Sequence, residues 1–427
     1  MDVRGQRFLV VGLGKSGRAA ARFLASRGAR VVANDVRSEI DAPDELRGIE
    51  LALGGHPVEL FTGVDRIVVS PGVPPLDALV AAEQAGVPIA SEIELASWFL
   101  DSWVVAITGT NGKSTVTTLI GEMLQQSGRP TFVGGNLGTP LIDVVGTPAA
   151  TQGGAVVVEL SSFQLERVDR FRANVAVLLN VTDDHLDRYA TFADYAAAKG
   201  RIFAGQTQAD HAVVPADDEL CRSMARAGAA KVHPFAADDL PVPPSEMKLR
   251  GAHNVLNACA AASAARLSGV DATGIANVLR AFPGLPHRMQ HVRELDGVSF
   301  YDDSKATNVG AAVAALSGFD ASRVVLIAGG VDKGGSYAPL VDALKQQGRA
   351  LVTLGEAAPL IEAAVGGALR WERAESMRDA VARACRLAQP GDAVLLAPAC
   401  SSFDMYGSYA ERGDDFQACV RAIGGGA

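Results

Sequence analysis

Residues 109–115 read Gly109-Thr110-Asn111-Gly112-Lys113-Ser114-Thr115. They follow a short apolar run over 103–108 with the composition of a strand, and they open a helical run over 116–126. This is the pattern of a phosphate-binding loop. Its glycines let backbone N–H groups converge on phosphate oxygens, Lys113 adds a point charge, Ser114 offers a hydroxyl to Mg²⁺, and the helix N-terminus adds its dipole. Ile107 stands where the common G-x-x-x-x-G-K-[ST] pattern has its first glycine. A plain glycine-rich turn with a surface lysine is the alternative. It leaves Gly-Lys-Ser-Thr at a strand-to-helix junction unexplained.

At 427 residues the chain exceeds one ordinary core, and about three domains are expected. Hydrophobic residues make up 48% and charged residues 20%, a globular composition. The net charge of −9 argues against nucleic acid as the main partner, because duplex binders carry a basic footprint. Cys221, Cys259, Cys385, Cys400 and Cys419 lack metal-type spacing and read as reduced cytosolic thiols. The charged N-terminus has no signal-peptide pattern, and no apolar run reaches the ~18 residues of a membrane span. A cytoplasmic protein is expected.

Strand-like apolar runs at 8–11, 31–34, 67–70, 104–108, 155–160, 175–180, 298–301, 324–328, 351–354 and 394–397 alternate with helical runs such as 18–27 and 257–267. That alternation predicts parallel α/β sheets. Boundaries fall near 96–102 and near Pro283-Gly284-Leu285-Pro286, where two prolines stop a helix. The expected domains are 1–95, 96–284 and 285–427, the central one built on a P-loop ATPase-type parallel sheet.

A second glycine signature, Gly12-Leu13-Gly14-Lys15-Ser16-Gly17, follows the run at 8–11, and Asp35 ends the next strand. This is the dinucleotide fingerprint in strand–turn–helix context. It is open to NAD binding, to a Rossmann-like domain holding another nucleotide, or to a tight turn. The phosphate loop downstream weakens the NAD reading, since a dehydrogenase has no need of one.

Glu159 ends the run at 155–160 beside Ser161-Ser162-Phe163-Gln164, placed like a Walker-B carboxylate for Mg²⁺; a surface acid is the alternative. The next strand runs into Asn180-Val181-Thr182-Asp183-Asp184-His185-Leu186-Asp187-Arg188-Tyr189. His185 suits a metal or a substrate carboxylate, against a structural histidine. Lys199 reads from its residues alone as a solvated helix lysine. Asn254 and Asn257, three apart at a helix start, suit a purine or phosphate, and capping by Asn254 competes. His287-Arg288 and Asp302-Asp303-Ser304-Lys305-Ala306-Thr307-Asn308 gather acid, hydroxyl, amine and amide in short stretches.

The set GTNGKST, VVELSSFQLE, NVTDDHLDRY, YAAAKGRIF, GAHNVLN, GLPHR, DDSKATN, GGVDKGG and APACSSFDMYGSYAERGDDF occurs in order along nearly the whole chain. Jointly these motifs resemble the Mur ligases, and among them the branch that adds glutamate to UDP-N-acetylmuramoyl-L-alanine. The resemblance implies three domains, the first and last Rossmann-like, and an ATP-dependent, ADP-forming amide ligase of peptidoglycan synthesis acting as a monomer. D-glutamate is favoured over L-glutamate on the resemblance alone.

Residue by residue, the resemblance implies that Leu13, Gly14, Lys15, Ser16, Asp35, Arg37 and Gly72 hold the uridine diphosphate. Asn136, Ser161, Phe163 and Gln164 would reach the sugar-lactyl end. Gly109, Thr110, Asn111, Gly112, Lys113, Ser114 and Thr115 would hold the phosphates of ATP, with Asn254, Asn257, Arg288 and Asp303 on the nucleotide. Ser114 and Glu159 would bind one Mg²⁺, and His185 and Lys199 a second, with Lys199 carbamylated by CO₂. Catalysis would rest on Lys113, His185 and Lys199. Glutamate would meet His185, Thr307, Lys333, Ser402 and the backbone around Phe403 and Tyr409. Tyr409 and Phe403 stand where phenylalanine and leucine are expected and keep an apolar wall. Val36 replaces a common hydroxyl residue beside the uracil, which would weaken one hydrogen bond there.

Other functions account for less. A nicotinamide oxidoreductase explains only GLGKSG and Asp35. A nucleotide switch explains GTNGKST and Glu159 but not Asp303, Lys333 and Ser402. Folylpolyglutamate synthetase, the nearest rival within the superfamily, generally lacks the first domain.

Overall fold

The computed structural model describes residues 1–40, 44–136, 138–185, 188–249, 251–319 and 323–424. Among them the strands build three sheets. The first contains β1 (Arg7–Val11), β2 (Arg30–Asp35), β3 (Glu50–Leu53), β4 (Arg66–Val69) and β5 (Ile89–Ser91), in the order β3-β2-β1-β4-β5. The second contains β6 (Trp103–Thr108), β7 (Thr131–Gly135), β8 (Ala155–Glu159), β9 (Val175–Leu178), β10 (His211–Pro215) and β11 (Lys231–Phe235), in the order β11-β10-β9-β6-β8-β7. Every pairing in these two sheets is parallel.

The third sheet contains β12 (Gln290–Leu295), β13 (Val298–Asp302), β14 (Val324–Gly329), β15 (Gly348–Leu354), β16 (Trp371–Arg373) and β17 (Ala393–Leu396), in the order β12-β13-β17-β14-β15-β16. It corrects the purely parallel expectation, because β12 and β13 run antiparallel. The reason is local. Asp296 (φ 51°) and Gly297 (φ 75°) are both left-handed, the backbone of a two-residue hairpin turn whose twist matches the flanking strands.

By packing, Met1–Val181, Ala193–Pro243 and Leu256–Arg280 form one unit, and Thr182–Phe192, Pro244–Val255 and Ala281–Ala427 form another. The first unit carries the first two sheets and the second carries the third. The fold is α/β, as the alternation of runs predicts.

Strand β14 shows why the third sheet sits where it does. Its sequence, Val-Val-Leu-Ile-Ala-Gly, is buried throughout. Side chains alternate across a strand. Val324, Leu326 and Ala328 join one cluster with Leu340 and Leu395, while Val325 and Ile327 join another with Val394 and Phe416. A parallel strand covered by helices on both faces needs such a continuous apolar run. The same winding brings the carboxyl ends of the strands to one edge of each sheet, and Glu159 and Asp302 stand there.

Helices begin earlier than the apolar periodicity suggests. Lys15–Ser26 and Lys113–Gln126 start directly at the glycine loops, and the helix expected over 257–267 spans Ala252–Leu267. Among the described residues, no helix is long and apolar enough to cross a membrane. Leu326→Ala should lower unfolding free energy by about 2–5 kcal/mol, read from urea midpoints, because it opens a cavity in the first of these two clusters.

Candidate active site

In the first unit, β6 turns through Gly109 (φ 152°) and Gly112 (φ 85°) into the helix Lys113–Gln126. Both glycines are required. Each has a positive φ, and a Cβ at Gly112 would collide with Asn257 Oδ1. That collision puts the Asn257 amide against the loop. Asn180 fixes the turn from β9: its Oδ1 accepts from Asn111 N at 2.8 Å, its Nδ2 donates to Asn111 O at 3.1 Å, and its backbone oxygen accepts from Thr110 N at 3.0 Å.

Two lysines reach the same acceptor. Lys113 Nζ donates to Gly109 O at 2.9 Å and to Thr110 O at 2.8 Å, and Lys199 Nζ donates to Gly109 O at 2.9 Å. Lys199 is only 2% exposed and lies 4.6 Å from the Tyr195 ring centroid. The solvated helix lysine suggested by its residues alone is therefore corrected. Residues 192–200 form one helix, and Lys199 is on its buried face. Tyr195 also meets the loop, at 3.1 Å from Thr110 Oγ1.

Glu159 ends β8 in register with Ile107 of β6, so the sheet itself sets the acid beside the loop. It is buried, not a surface acid. Asn136 holds it, donating from Nδ2 to Glu159 Oε1 at 2.7 Å. Ser114 is buried in the first turn of the adjoining helix. Mg²⁺ is commonly held by one or two carboxylates, with phosphate oxygens and water completing its shell. A carboxylate, a hydroxyl and a glycine cradle at a helix N-terminus fit that ion on a polyphosphate. Among the described residues, no group of three or more His, Cys, Asp or Glu side chains is placed to hold a metal ion.

At the first sheet, Gly12 (φ 84°) makes the turn, and any Cβ at Gly17 would run into Gly12 O. Asp35 faces inward. It accepts from Leu13 N at 2.7 Å and from Arg37 Nε and Nη2 at 2.8 and 2.9 Å. The Arg37 guanidinium holds its carboxyl well below the usual range. Leu13 is buried with both backbone groups engaged, so it supports the loop from beneath. Gly14, Lys15 and Gly72 are exposed at the rim and Ser16 is half-buried. Lys15 Nζ reaches Gly138 O at 2.6 Å. Ser161 and Gln164 form a reciprocal capping box at the helix Ser162–Leu165, beside half-buried Phe163.

In the second unit, the turn His287–Met289 has two left-handed non-glycine residues, His287 (φ 57°) and Met289 (φ 45°). Such backbone is strained and needs support. Asp302 accepts from Gln417 Nε2 and pairs with His287 Nδ1, each at 2.7 Å. Asp303 accepts from Met289 N at 3.2 Å. Burial pushes the Asp303 carboxyl up to about 7, opposed by the charge of Arg288. The turn thus brings Arg288 near Asp303. Asn254 lies in the first turn of its helix and is not its cap.

Sequence reasoning missed the hub of this unit. Buried Asp184 accepts from Asn308 Nδ2 at 3.0 Å and pairs with Lys333 Nζ at 3.2 Å, and His185 N donates to it at 3.0 Å. Asn308 also caps the helix Val309–Leu316. Asp184 stood in a quoted motif, as one of two adjacent acids at a strand end; only the fold tells which turns inward. His185 is itself left-handed (φ 56°). Lys305 Nζ donates to the Tyr409 hydroxyl at 3.0 Å, a second missed contact. Thr307 is half-buried and Ser402 buried. Phe403 is 74% exposed, so the apolar wall expected of its side chain is not formed. Leu186 and Asp187 of the strand-end motif, and Leu137 of the Asn136 loop, lie outside the described residues.

Comparison with known proteins gives three family matches along the chain: "Mur ligase MurD-like, N-terminal domain" over residues 6–91, "Mur ligase middle domain" over 107–241, and "Mur ligase, glutamate ligase domain" over 287–400. A protein of Geotalea daltonii named UDP-N-acetylmuramoylalanine--D-glutamate ligase is 46% identical, with 100% of this chain and 99% of the relative covered. Among solved structures, a pseudomurein peptide ligase type C from Methanothermus fervidus aligns with a TM-score of 0.62 at 19% identity, covering 98% of this chain and 100% of the other. UDP-N-acetylmuramate-alanine ligase from Thermotoga maritima aligns at 0.59 and 20%, covering 98% and 99%. The two structures share the fold.

The Asp303 titration sets a pH dependence. Unfolded, the carboxyl titrates near about 4; folded, at about 7. Between those values the folded chain holds the extra proton, so this group's contribution is most favourable below about pH 4 and declines as pH rises through about 7. Asp303→Asn should remove that decline. Urea midpoints of variant and wild type, compared at about pH 5 and about pH 8, should diverge in the variant's favour at the higher pH.

Proposed function

The chain belongs to the Mur ligase family, and from that premise we propose that it is an ATP-dependent ligase joining D-glutamate to UDP-N-acetylmuramoyl-L-alanine. Whole-length likeness to relatives named for that reaction supports the substrates. The observation that carries the chemistry is the convergence of Lys113 and Lys199 on Gly109 O. It sets the Lys113 cation and the buried Lys199 amine at one turn suited to phosphate.

A carboxylate does not acylate an amine near neutral pH, because its leaving group would be oxide. Transfer of the γ-phosphoryl group of ATP to the alanyl carboxylate gives an acyl phosphate. The glutamate amine then attacks the acyl carbon, the C–N bond forms, the C–O bond to phosphate breaks, and the amine proton is lost. Lys113 would offset the charge that grows on the transferring group. Ser114 and Glu159 would hold one Mg²⁺, and His185 and carbamylated Lys199 another. When bound, Mg²⁺ neutralises phosphoryl oxygens. A carbamate would turn the Lys199 amine into an anionic oxygen donor, which hard cations prefer.

Gly14, Lys15, Ser16, Arg37 and Gly72 are assigned to the uridine diphosphate, and Asn136 with the Ser161–Gln164 turn to the sugar end. Thr307, Lys333, Ser402 and backbone near Phe403 and Tyr409 are assigned to glutamate. The three domains are read as 1–95, 96–284 and 285–427. A nicotinamide oxidoreductase is disfavoured, because the acid that would take the ribose is already occupied by Arg37 and Leu13. ATP and a nucleotide-linked sugar are cytoplasmic metabolites, and the enzyme is assigned there.

Phosphate release from ATP should require both UDP-N-acetylmuramoyl-L-alanine and D-glutamate; equal turnover with L-glutamate, or release with neither acceptor, defeats the assignment. Lys113→Ala should lose on the order of 10²-fold or more in rate. Lys199→Ala and Lys199→Arg should both be inactive, and a short carboxylic acid should restore part of the alanine variant's activity. An active arginine variant would remove the carbamate from the scheme.

A further inference from the structure

A cavity of about 260 Å³ lies within the second unit. Residues 182–184, the start of the helix Val309–Leu316 and the segment 332–339 enclose it. Thr307, Ser402 and Tyr409 do not line it. It shares Lys333 alone with the cluster assigned to glutamate.

Its walls and its rim differ in chemistry. Val309, Val313, Pro339 and the Tyr337 ring supply hydrocarbon. Among the described residues lining it, carboxylates outnumber ammonium groups three to one, with Asp183, Asp184 and Asp332 against Lys333. Lys333 is already paired with Asp184 at 3.2 Å. Asp332 accepts from Tyr337 Oη at 2.7 Å and Gly334 N at 3.0 Å. Asp183 remains exposed at the rim.

We propose that this cavity binds a small organic ammonium ion carrying an apolar group. The hydrocarbon would displace water from Val309, Val313 and Pro339. The ammonium would sit at Asp183, where the excess of carboxylates favours a cation and opposes an anion. An anionic ligand of the same size would meet uncompensated negative charge beside a low-dielectric wall. Because the Asp184–Lys333 pair borders the cavity, an occupant also weakens glutamate binding; that consequence alone rests on the assignment of Lys333 to glutamate.

The test uses the full chain without substrates and three probes of matched size: 2-phenylethylamine, 2-phenylethanol and 3-phenylpropanoate. Titration calorimetry or ligand-observed NMR should rank the amine tightest and the acid weakest. Val313→Trp, which fills the cavity, should weaken the amine by about tenfold or more. Asp183→Asn, at an exposed position, should bring the amine to the level of the alcohol, and it decides the matter if the tryptophan variant unfolds. Acid binding as tight as amine binding overturns the proposal, as does amine binding unchanged in Asp183→Asn. In the ligation assay the amine should raise the KM for glutamate in the wild type and not in Asp183→Asn. Intact amine binding without that effect would instead count against the role of Lys333.

Discussion

One carbonyl oxygen organises the first unit. Gly109 O accepts from Lys113 and Lys199, which come from helices well separated in sequence. Lys113 brings a cation to that oxygen, and Lys199 brings a buried side chain whose amine is the one assigned to carbamate formation. The geometry around the oxygen is fixed by groups that carry no charge: Asn180 holds the turn on both sides, and Tyr195 stands against Thr110. The loop is therefore rigid where it must present N–H groups, and cationic where phosphate must arrive.

The second unit solves a different problem with buried ions. Arg412 is buried, and its guanidinium donates to Ser304 Oγ and to the carbonyls of Ser304, Cys400 and Ser401. Burial pushes it down to about 10, yet it remains a cation near neutral pH. It ties the loop after β13 to the loop after β17. Asp184 works in the opposite sense, as a buried anion collecting Lys333 and Asn308. Between them, these ions set the loops that carry Thr307, Lys333 and Ser402.

Much of this was legible in the sequence, for identifiable reasons. The glycine loops announced themselves because left-handed backbone at Gly12 and Gly112 admits few other residues. Central strands such as β14 announced themselves because burial on both faces demands an unbroken apolar run. Edge strands such as β3 and β16 did not, since Glu50–Leu53 and Trp371–Arg373 are short and partly exposed. The β12–β13 hairpin left a signal in Asp296-Gly297, but polar β12 hid it. The burial of Lys199, and the choice of Asp184 over its neighbour as the hub, depend on tertiary packing that no local pattern encodes. Phe403 was misjudged because residue type says nothing of which way a loop side chain points.

The inward turn of Asp35 has a consequence for how such domains diversify. A glycine-rich turn followed by an acid is commonly taken as an address label for dinucleotides. Here the acid is a strut inside its own loop, clamped by Leu13 N–H and Arg37. The carboxylate is thus covered by the cation of Arg37. Redirecting this domain towards an adenine dinucleotide would begin with Arg37, because no change elsewhere in the fingerprint frees the oxygens of Asp35 to meet a ribose. The motif preserves an architecture, while the residue two places beyond the acid decides whether that acid is free to be read.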